Sequence, residues 1–321
     1  GHSRNLLKRT IRLNFRKEYG AKSWTTDFFK DHCPLNSDSV TNKFQTVILR
    51  SGHNRSWARV YGKERVSYTE DQFVRDSQIQ MSGYGSHGAF AHLYLNGVYW
   101  GLYNIVERPD DHWAAAYFDG DEDDYFYTNH GKACDRDARR WEYLVDTLAW
   151  EDMADPQRYA EIQDYLDLES FADYVALNIY IGNSDWPGNN WYVSHRNEVS
   201  PLGSRFAVWD AKKSLDITDG REGPNAERPG AWMRPDFVVN GGNGGDGREV
   251  TRLFHALRRS PTFRQLFADR VTMHTSTGGA LSTELVLDRW DNLASYLESA
   301  VIGESARWGD SRKEIDDPDF A

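Results

Sequence analysis

The stretch NSDWPGNNWYVSHRNEVSPLGSRFAVWDAKKSL, residues 183–215, predicts a loop followed by a β-hairpin. Two short hydrophobic runs, at 191–193 and 206–209, are separated by a turn-like segment that contains a proline and a glycine. Apolar runs bounded by turn residues in this way are typical of paired strands. We therefore expect Asp210, which ends the second run, to face the loop that contains Asp185.

The polar residues of this stretch stand in the order that a phosphoryl-transfer site requires. Asp185 is followed five residues later by Asn190, and Asp210 comes after the second hydrophobic run. Protein kinases use an Asp, an Asn five positions further on and a later Asp in this layout. Asp185 would accept the proton of the acceptor hydroxyl or orient that hydroxyl. Asn190 and Asp210 would offer oxygen ligands to a divalent cation, which commonly takes only one or two carboxylates from the protein.

Each of these residues also has a plainer interpretation. Asp185 could form an Asx turn within its loop, and Asp210 could cap a helix. Asn189 could take the role given to Asn190, or it could order the loop. The order of the three residues in one stretch favours the functional interpretation.

The composition indicates a folded protein and excludes some classes of partner. The chain has 321 residues, 39% hydrophobic and 14% aromatic, which is enough for a sizeable core. Its net charge of -11 argues against binding to a nucleic-acid backbone. No apolar run approaches the length of a membrane span. Cys33 and Cys134 lack metal-site spacing and are expected to be two thiols or one bridge.

The first third of the chain is rich in strand patterns. Residues 90–107 give the clearest hairpin signal, because Asn96-Gly97 is the preferred dipeptide for a tight turn between two strands. Alternation at 9–15 and a hydrophobic run at 44–50 predict further strands.

Helical patterns occur from residue 69 onward and dominate the last half. A helix over 69–81 is predicted from Thr69 as N-cap with Gln72 three residues later, and Asp167 is a cap for a helix over 168–181. Further helices are predicted at 111–118, 138–150, 249–259, 261–275 and 283–300. Residues 119–140 are predicted as mostly surface loops. The glycine-rich segment 217–248 is a long loop of the kind that is usually functional or mobile.

Several segments together resemble the spore coat protein H (CotH) kinase-like family, whose members have an atypical protein-kinase-like fold. The strongest matches are HLYLNGVYWGLY at 92–103 with Glu107-Arg108, and NSDWPGNN at 183–190. Supporting segments are Ser3-Arg4, Lys8-Arg9 with the strand that follows, residues 47–50, Arg75-Asp76 and Trp209-Asp210. The resemblance covers roughly residues 1–215. It agrees with an α+β, two-lobed fold over 1–321, with a strand-rich N-lobe at 1–106 and a mainly helical C-lobe at 107–321.

The resemblance implies phosphoryl transfer that depends on ATP and on Mg²⁺ or Mn²⁺. Founding members act on serine of secreted or spore-surface proteins, so a protein serine or another hydroxyl compound is the expected acceptor. The expected location is extracellular or at a cell or spore surface. Residues 107–111 would form the hinge that contacts adenine, with Glu107 either at the nucleotide or as lobe-connecting structure.

A cation is also expected on the nucleotide phosphates. Lys8 is the candidate, with Arg12 and Arg50 as rivals, since a lysine point charge suits phosphate but an exposed lysine on a strand is common. An acidic residue of the predicted helix 69–81 could orient this cation. The candidates for that role are Glu70, Asp71 and Asp76.

One position departs from the family pattern. Many members carry a second acid two residues after the position of Asp210, where this chain has Lys212. A lysine there would weaken binding of a second cation, or its ammonium would act on phosphate. The alternative function is therefore a catalytically silent nucleotide-binding or assembly module. A carbohydrate-active site at Asp121 and Glu122 is disfavoured, because adjacent acids usually form a solvated face.

Overall fold

The structure is a computed structural model that describes residues 6–33, 35, 40–58, 66–130, 132–133, 138–183, 186–197, 203–212, 214–215 and 248–309. Asp185, Cys134 and the predicted loop up to residue 247 lie outside these residues. Cys33 has a free thiol.

Strands and helices are both well represented in the described residues. The strands are β1 (Ile11–Asn14), β2 (Trp24–Thr25), β3 (Lys43–Phe44), β4 (Thr46–Arg50), β5 (Gly88–Leu95), β6 (Val98–Glu107), β7 (Tyr125–Asn129), β8 (Lys132–Ala133), β9 (Trp191–Arg196) and β10 (Arg205–Val208). The α-helices are α1 (Phe28–His32), α2 (Glu70–Ser82), α3 (Asp111–Phe118), α4 (Arg139–Glu142), α5 (Pro156–Ile162), α6 (Leu168–Tyr180), α7 (Arg248–Leu257), α8 (Pro261–Thr275), α9 (Thr283–Glu298) and α10 (Ala300–Trp308). The strands form antiparallel sheets in the orders β1-β4-β6-β5, β10-β9-β7-β8 and β2-β3. The fold is therefore compatible with the expected α+β class.

The chain divides into two compact units. The first consists of Gly1–Asp76, Ser86–Arg108 and Val286–Ala321, and the second of Ser77–Gly85 and Pro109–Leu285. The first unit is thus discontinuous, since the segment from Val286 onward groups with the N-terminal strands. Whether these units are the two lobes of a kinase-like fold stays a prediction, as does the single domain over 1–321.

The β5–β6 hairpin of the first unit confirms the Asn-Gly prediction. Leu95 pairs with Val98, which leaves a two-residue turn, and Asn96 and Gly97 both have positive φ, 50° and 80°. Two successive left-handed residues are what a type I′ turn requires. The sheet packs on a core whose buried members are Phe29, Phe44, Val47, Leu49, Ala89 and Tyr103.

Helix α2 confirms the helix predicted at 69–81 but not the role given to Gln72. Phe73 N–H donates to the Thr69 carbonyl, so the helix begins where predicted. The side chain of Gln72, however, is fully buried, and its Oε1 accepts from Arg75 Nη2 at 2.6 Å and not from the Thr69 N–H, which donates to Ser67 Oγ at 3.3 Å. The capping-box interpretation is wrong because the buried Arg75 guanidinium offers this oxygen a partner in the unit's interior.

In the second unit, the prediction of surface loops over 119–140 is wrong at β7. This strand lies between β8 and β9 in its sheet and pairs with β9 along its whole length. Tyr125, Phe126 and Thr128 are buried. Because β7 is short and follows an acidic run, its alternation is weak in the sequence, and pairing with a strand some 60 residues later determines its burial.

Helix α6 and the β9–β10 hairpin confirm the predictions made for their region. Asp167 Oδ1 accepts from Ser170 N–H at 3.0 Å, which caps α6. Strand β10 is an edge strand, and Gln78 satisfies part of its edge, donating to Phe206 O at 2.7 Å and accepting from Val208 N–H at 2.8 Å. These contacts fix the strand that leads to Asp210.

The remaining helices agree in part with the sequence patterns. Helices α7, α8 and α9 confirm the predictions at 249–259, 261–275 and 283–300. The segment predicted as one helix over 138–150 is α4 followed by a π-helical turn and a 3₁₀ turn. None of the described helices combines the length and the apolarity needed to cross a bilayer.

Candidate functional site

The β9–β10 hairpin brings Asn190 and Asp210 together, as the sequence predicts. Trp191 pairs with Val208, so the residue before β9 and the residues after β10 lie at the same end of the hairpin. The side-chain amide of Asn190 donates through Nδ2 to the main-chain oxygen of Asp210 at 3.3 Å. This contact orients the amide whose oxygen is the expected cation ligand.

Both residues have left-handed backbone conformations. The φ of Asn190 is 70° and that of Asp210 is 55°. Residues other than glycine adopt this region rarely, although Asn and Asp are several-fold enriched there. Such conformations cluster at active sites and ligand-binding turns, where the surrounding structure holds them in place. The hairpin end therefore combines two backbone conformations that are common at ligand-binding turns.

Two buried tryptophans anchor the loop that precedes β9. Trp186 Nε1 donates to the Tyr174 hydroxyl of α6 at 2.6 Å, and Trp191 Nε1 donates to the Pro187 carbonyl at 3.0 Å. Both indoles are almost completely buried. Asp185 lies outside the described residues, so its role at the acceptor hydroxyl stays a prediction.

The structure adds His130, to which the sequence analysis gives no role. Its Nδ1 accepts the main-chain N–H of Asn190 at 2.7 Å. His130 follows β7 directly and donates its own N–H to the Trp191 carbonyl at 3.2 Å. Only the unrecognised strand β7 brings this histidine to the site, so no spacing in the sequence indicates it.

Lys212 contacts the carboxylate of Asp210 directly. Its Nζ donates to Asp210 Oδ1 at 2.6 Å, and the two side chains are 16% and 26% exposed. A charge-assisted bond of this length is a strong one. The partial exposure of both groups leaves the pair within reach of a ligand from solvent.

The donor atoms at this hairpin end fit a hard divalent cation. Mg²⁺ prefers oxygen ligands and is usually held by one or two protein carboxylates together with substrate phosphates and water. Asp210 offers a carboxylate and Asn190 an amide oxygen, and the Lys212 ammonium already places positive charge on that carboxylate. Within the described residues, no group of three or more His, Cys, Asp or Glu side chains is arranged to hold a metal.

Lys8, the candidate phosphate cation, lies in a buried ion pair of the first unit. Its Nζ contacts Glu304 Oε1 at 2.5 Å and the Leu102 carbonyl at 2.7 Å, over the rings of Tyr68 and Tyr103. Burial lowers the pKa of Lys8, although the charge and hydrogen bond of Glu304 oppose this. These are the surroundings of a structural ion pair, and the phosphate role stays a prediction.

The acidic partner of Lys8 differs from the predicted ones. Glu304 belongs to α10, whereas the candidates lie in α2. Of those candidates, Asp71 pairs with Arg50 and Asp76 accepts from Gln72. The prediction is corrected because a helix far along the chain, beyond any local pattern, supplies the carboxylate.

The other nucleotide-side candidates of the first unit occupy varied surroundings. Arg12 is exposed on β1. Arg50 Nε forms an ion pair with Asp71 Oδ2 at 3.0 Å. Glu107 is buried at the end of β6, where its Oε2 accepts from the main-chain N–H and the Nδ1 of His87 at 2.9 and 2.8 Å. Their roles at a nucleotide stay predictions.

The acids of the disfavoured carbohydrate site serve local structure. Asp121 and Asp124 exchange hydrogen bonds across a 3₁₀ turn. Glu122 Oε2 contacts Nδ1 of His112. These contacts agree with the interpretation of a local, solvated acidic face.

The fold and this site define an α+β protein with a candidate cation-binding turn at the end of a hairpin. The chain belongs to the CotH kinase family: the family profile described as CotH kinase protein matches residues 14–318, nearly the whole chain. This match confirms the resemblance drawn from the sequence motifs, and it suggests a kinase-like protein associated with the spore coat. No curated protein matches the chain.

Proposed function

We propose that the protein is a phosphotransferase that moves the terminal phosphoryl group of ATP to a hydroxyl acceptor, with Mg²⁺ or Mn²⁺, in a two-lobed kinase-like fold. The contact between Asn190 and Asp210 at the end of the β9–β10 hairpin carries this proposal. The family match over residues 14–318 supports it. The acceptor class we favour is a serine of a secreted or spore-surface protein, and the location is extracellular or at that surface.

The residues of the hairpin end have distinct roles in this proposal. Asp210 and Asn190 would hold the metal, which when bound to the nucleotide neutralises the charge of the transferred phosphoryl group. Asp185 would orient the acceptor hydroxyl and take its proton. The bond from phosphorus to the bridging oxygen of ADP breaks while the bond to the acceptor oxygen forms.

On the nucleotide side, we favour Arg12 as the cation that meets phosphate. Its side chain is exposed to solvent, while that of Lys8 is buried in contact with Glu304 and the Leu102 carbonyl. Removing a buried ammonium from its partner leaves an uncompensated buried carboxylate, which is strongly unfavourable. Lys8 and Arg50 would then act indirectly, and Glu107 would act through the hinge segment 107–111, which it begins.

The test is transfer of labelled phosphate from ATP to dephosphorylated casein with Mg²⁺ or Mn²⁺. We expect Asp210→Ala to reduce labelling by at least about a hundredfold, since electrostatic stabilisation in such sites is worth that much or more. Asp164→Ala, at an exposed acid of the same unit, is the matched control and should label as the wild type does. Equal labelling by wild type and Asp210→Ala would contradict the proposal.

A second candidate function, a nucleotide-binding module without catalysis, is favoured by one observation. The Lys212 ammonium occupies an oxygen of the carboxylate that would hold the metal. Under this candidate, ATP with Mn²⁺ would raise the unfolding temperature of the wild type but not of Asp210→Ala, while no labelled phosphate reaches casein or the protein itself. Measurable turnover by the wild type excludes it.

A further inference from the structure

We infer that His130 is a positioning residue for the metal ligand Asn190. The inference rests on the proposed function, because it assigns His130 a role at the same hairpin end. Asn190 is held at two points, its main-chain N–H by His130 Nδ1 at 2.7 Å and its side-chain amide by the Asp210 carbonyl at 3.3 Å.

The donor and the acceptor of the hydrogen bond between Asn190 and His130 are fixed by their chemistry. A main-chain N–H can only donate, so Nδ1 must present its lone pair and the ring proton resides on Nε2. A side chain that places an acceptor atom where Nδ1 lies can replace the imidazole, and the Oδ1 of an asparagine does so. Glutamine carries its oxygen farther from the main chain, near the position of Nε2.

The backbone conformation of Asn190 explains why its hydrogen bond to His130 matters. At a φ of 70°, Asn190 occupies a conformation that needs support from its surroundings. His130 is itself fixed, because its own N–H donates to the Trp191 carbonyl and its ring lies edge-on to the Trp191 indole, with centroids 6.4 Å apart. These two contacts tie His130, which follows β7, to Asn190 and to Trp191 at the start of β9.

The result is a preorganised amide oxygen. With the backbone held by His130 and Nδ2 held by Asp210, the remaining polar atom of the Asn190 side chain is the oxygen that would meet the cation. Partners that orient a metal ligand in this way typically contribute about 10- to 100-fold in metal affinity. A histidine whose contacts served only to hold the turn after β7 would contribute to folding stability and leave the metal affinity unchanged.

The experiment measures Mn²⁺ binding by calorimetry in the presence of a non-hydrolysable ATP analogue, for His130→Asn, His130→Gln and His130→Phe. We expect His130→Gln and His130→Phe to weaken Mn²⁺ binding about tenfold or more, and His130→Asn to remain within about threefold of the wild type. Hydrogen exchange of the Asn190 amide should accelerate in the same two variants and not in His130→Asn.

The outcomes separate this inference from the proposed function. If Asp210→Ala binds Mn²⁺ with the analogue as the wild type does, the proposed metal site is absent and this inference falls with it. If Asp210→Ala loses binding while His130→Asn and His130→Gln bind equally well, His130 does not position Asn190 and this inference alone is overturned. The Asn and Gln variants keep the test valid should His130→Phe fail to fold, because both retain a polar side chain.

Discussion

Two lysine–carboxylate pairs of nearly equal length stand in contrasting surroundings in this molecule. In the first unit, Lys8 Nζ lies 2.5 Å from Glu304 Oε1, and both side chains are fully buried. In the second unit, Lys212 Nζ lies 2.6 Å from Asp210 Oδ1, and both side chains are partly exposed. The distance alone does not reveal the role of such a pair. Burial does, because a buried charge cannot exchange its partner without a large desolvation cost, whereas an exposed pair can.

The surroundings of the buried pair reinforce the difference. Glu304 also accepts from the Tyr68 hydroxyl at 2.8 Å and from the Leu102 N–H at 2.6 Å. Gly101 has a φ of 139°, and a Cβ built there would lie 2.7 Å from Glu304 Oε2. Strand β6 thus has a glycine where Glu304 approaches its backbone. The pair joins α10 to β6 within the first unit.

The largest expected effect comes from breaking the buried pair. Lys8→Met leaves the Glu304 carboxylate buried without its charge partner, and we expect a loss of about 3 to 5 kcal/mol in the free energy of unfolding. Urea unfolding followed by fluorescence measures this loss. Lys17→Met, at an exposed lysine of the same unit, is the control and should change stability little.

A second variant tests the origin of that loss. Lys8→Met combined with Glu304→Gln should lose less stability than the sum of the two single changes, since the uncompensated charge is gone. Unchanged stability of Lys8→Met together with lost nucleotide binding would reverse our interpretation, and Lys8 would then be the phosphate cation predicted from the sequence.

The distance along the chain between two partners explains what the sequence could and could not predict. The β5–β6 turn, the cap of α6, and the meeting of Asn190 with Asp210 all follow from residues within some 20 positions of each other. The partner of Lys8 is 296 residues away, and His130 is 60 residues from Asn190. Local propensity carries no information about such pairings, which tertiary packing decides.

A third carboxylate, that of Asp76, is expected to have a smaller effect on the free energy of unfolding. Asp76 is buried and accepts from Gln72 at Oδ1, while its Oδ2 has no hydrogen-bond partner among the described residues. Burial raises the pKa of Asp76 to about 6, although the Gln72 hydrogen bond opposes the shift. In the folded protein this group therefore holds its proton at a pH where the unfolded chain has lost it.

The sign of the pH effect follows from that shift. Because the folded pKa is raised, the stabilising contribution of protonated Asp76 is present below about pH 4 and is lost as the pH rises through about 6. A shift of about two units corresponds to about 3 kcal/mol at most. Asp76→Asn keeps an acceptor for Gln72 and no longer titrates. Its free energy of unfolding should therefore rise relative to that of the wild type as the pH is raised from 4.5 to 8. Urea unfolding at these two pH values measures the change. If the difference in free energy of unfolding between the two proteins is the same at both pH values, the pKa of Asp76 is not raised.

The smallest effect on stability is expected at the partly exposed Lys212–Asp210 pair, where the effect on metal binding is the informative one. Lys212→Met should change the free energy of unfolding by less than about 1 kcal/mol, as for other exposed ion pairs. Because Asp210 need not then be released from an ammonium, Mn²⁺ without nucleotide should bind about fivefold more tightly, the ratio that corresponds to 1 kcal/mol. Lys30→Met, an exposed lysine outside the site, controls for net charge. Weaker binding of Mn²⁺ with the ATP analogue in Lys212→Met, and unchanged binding of Mn²⁺ alone, would show instead that the Lys212 ammonium acts on the nucleotide phosphates.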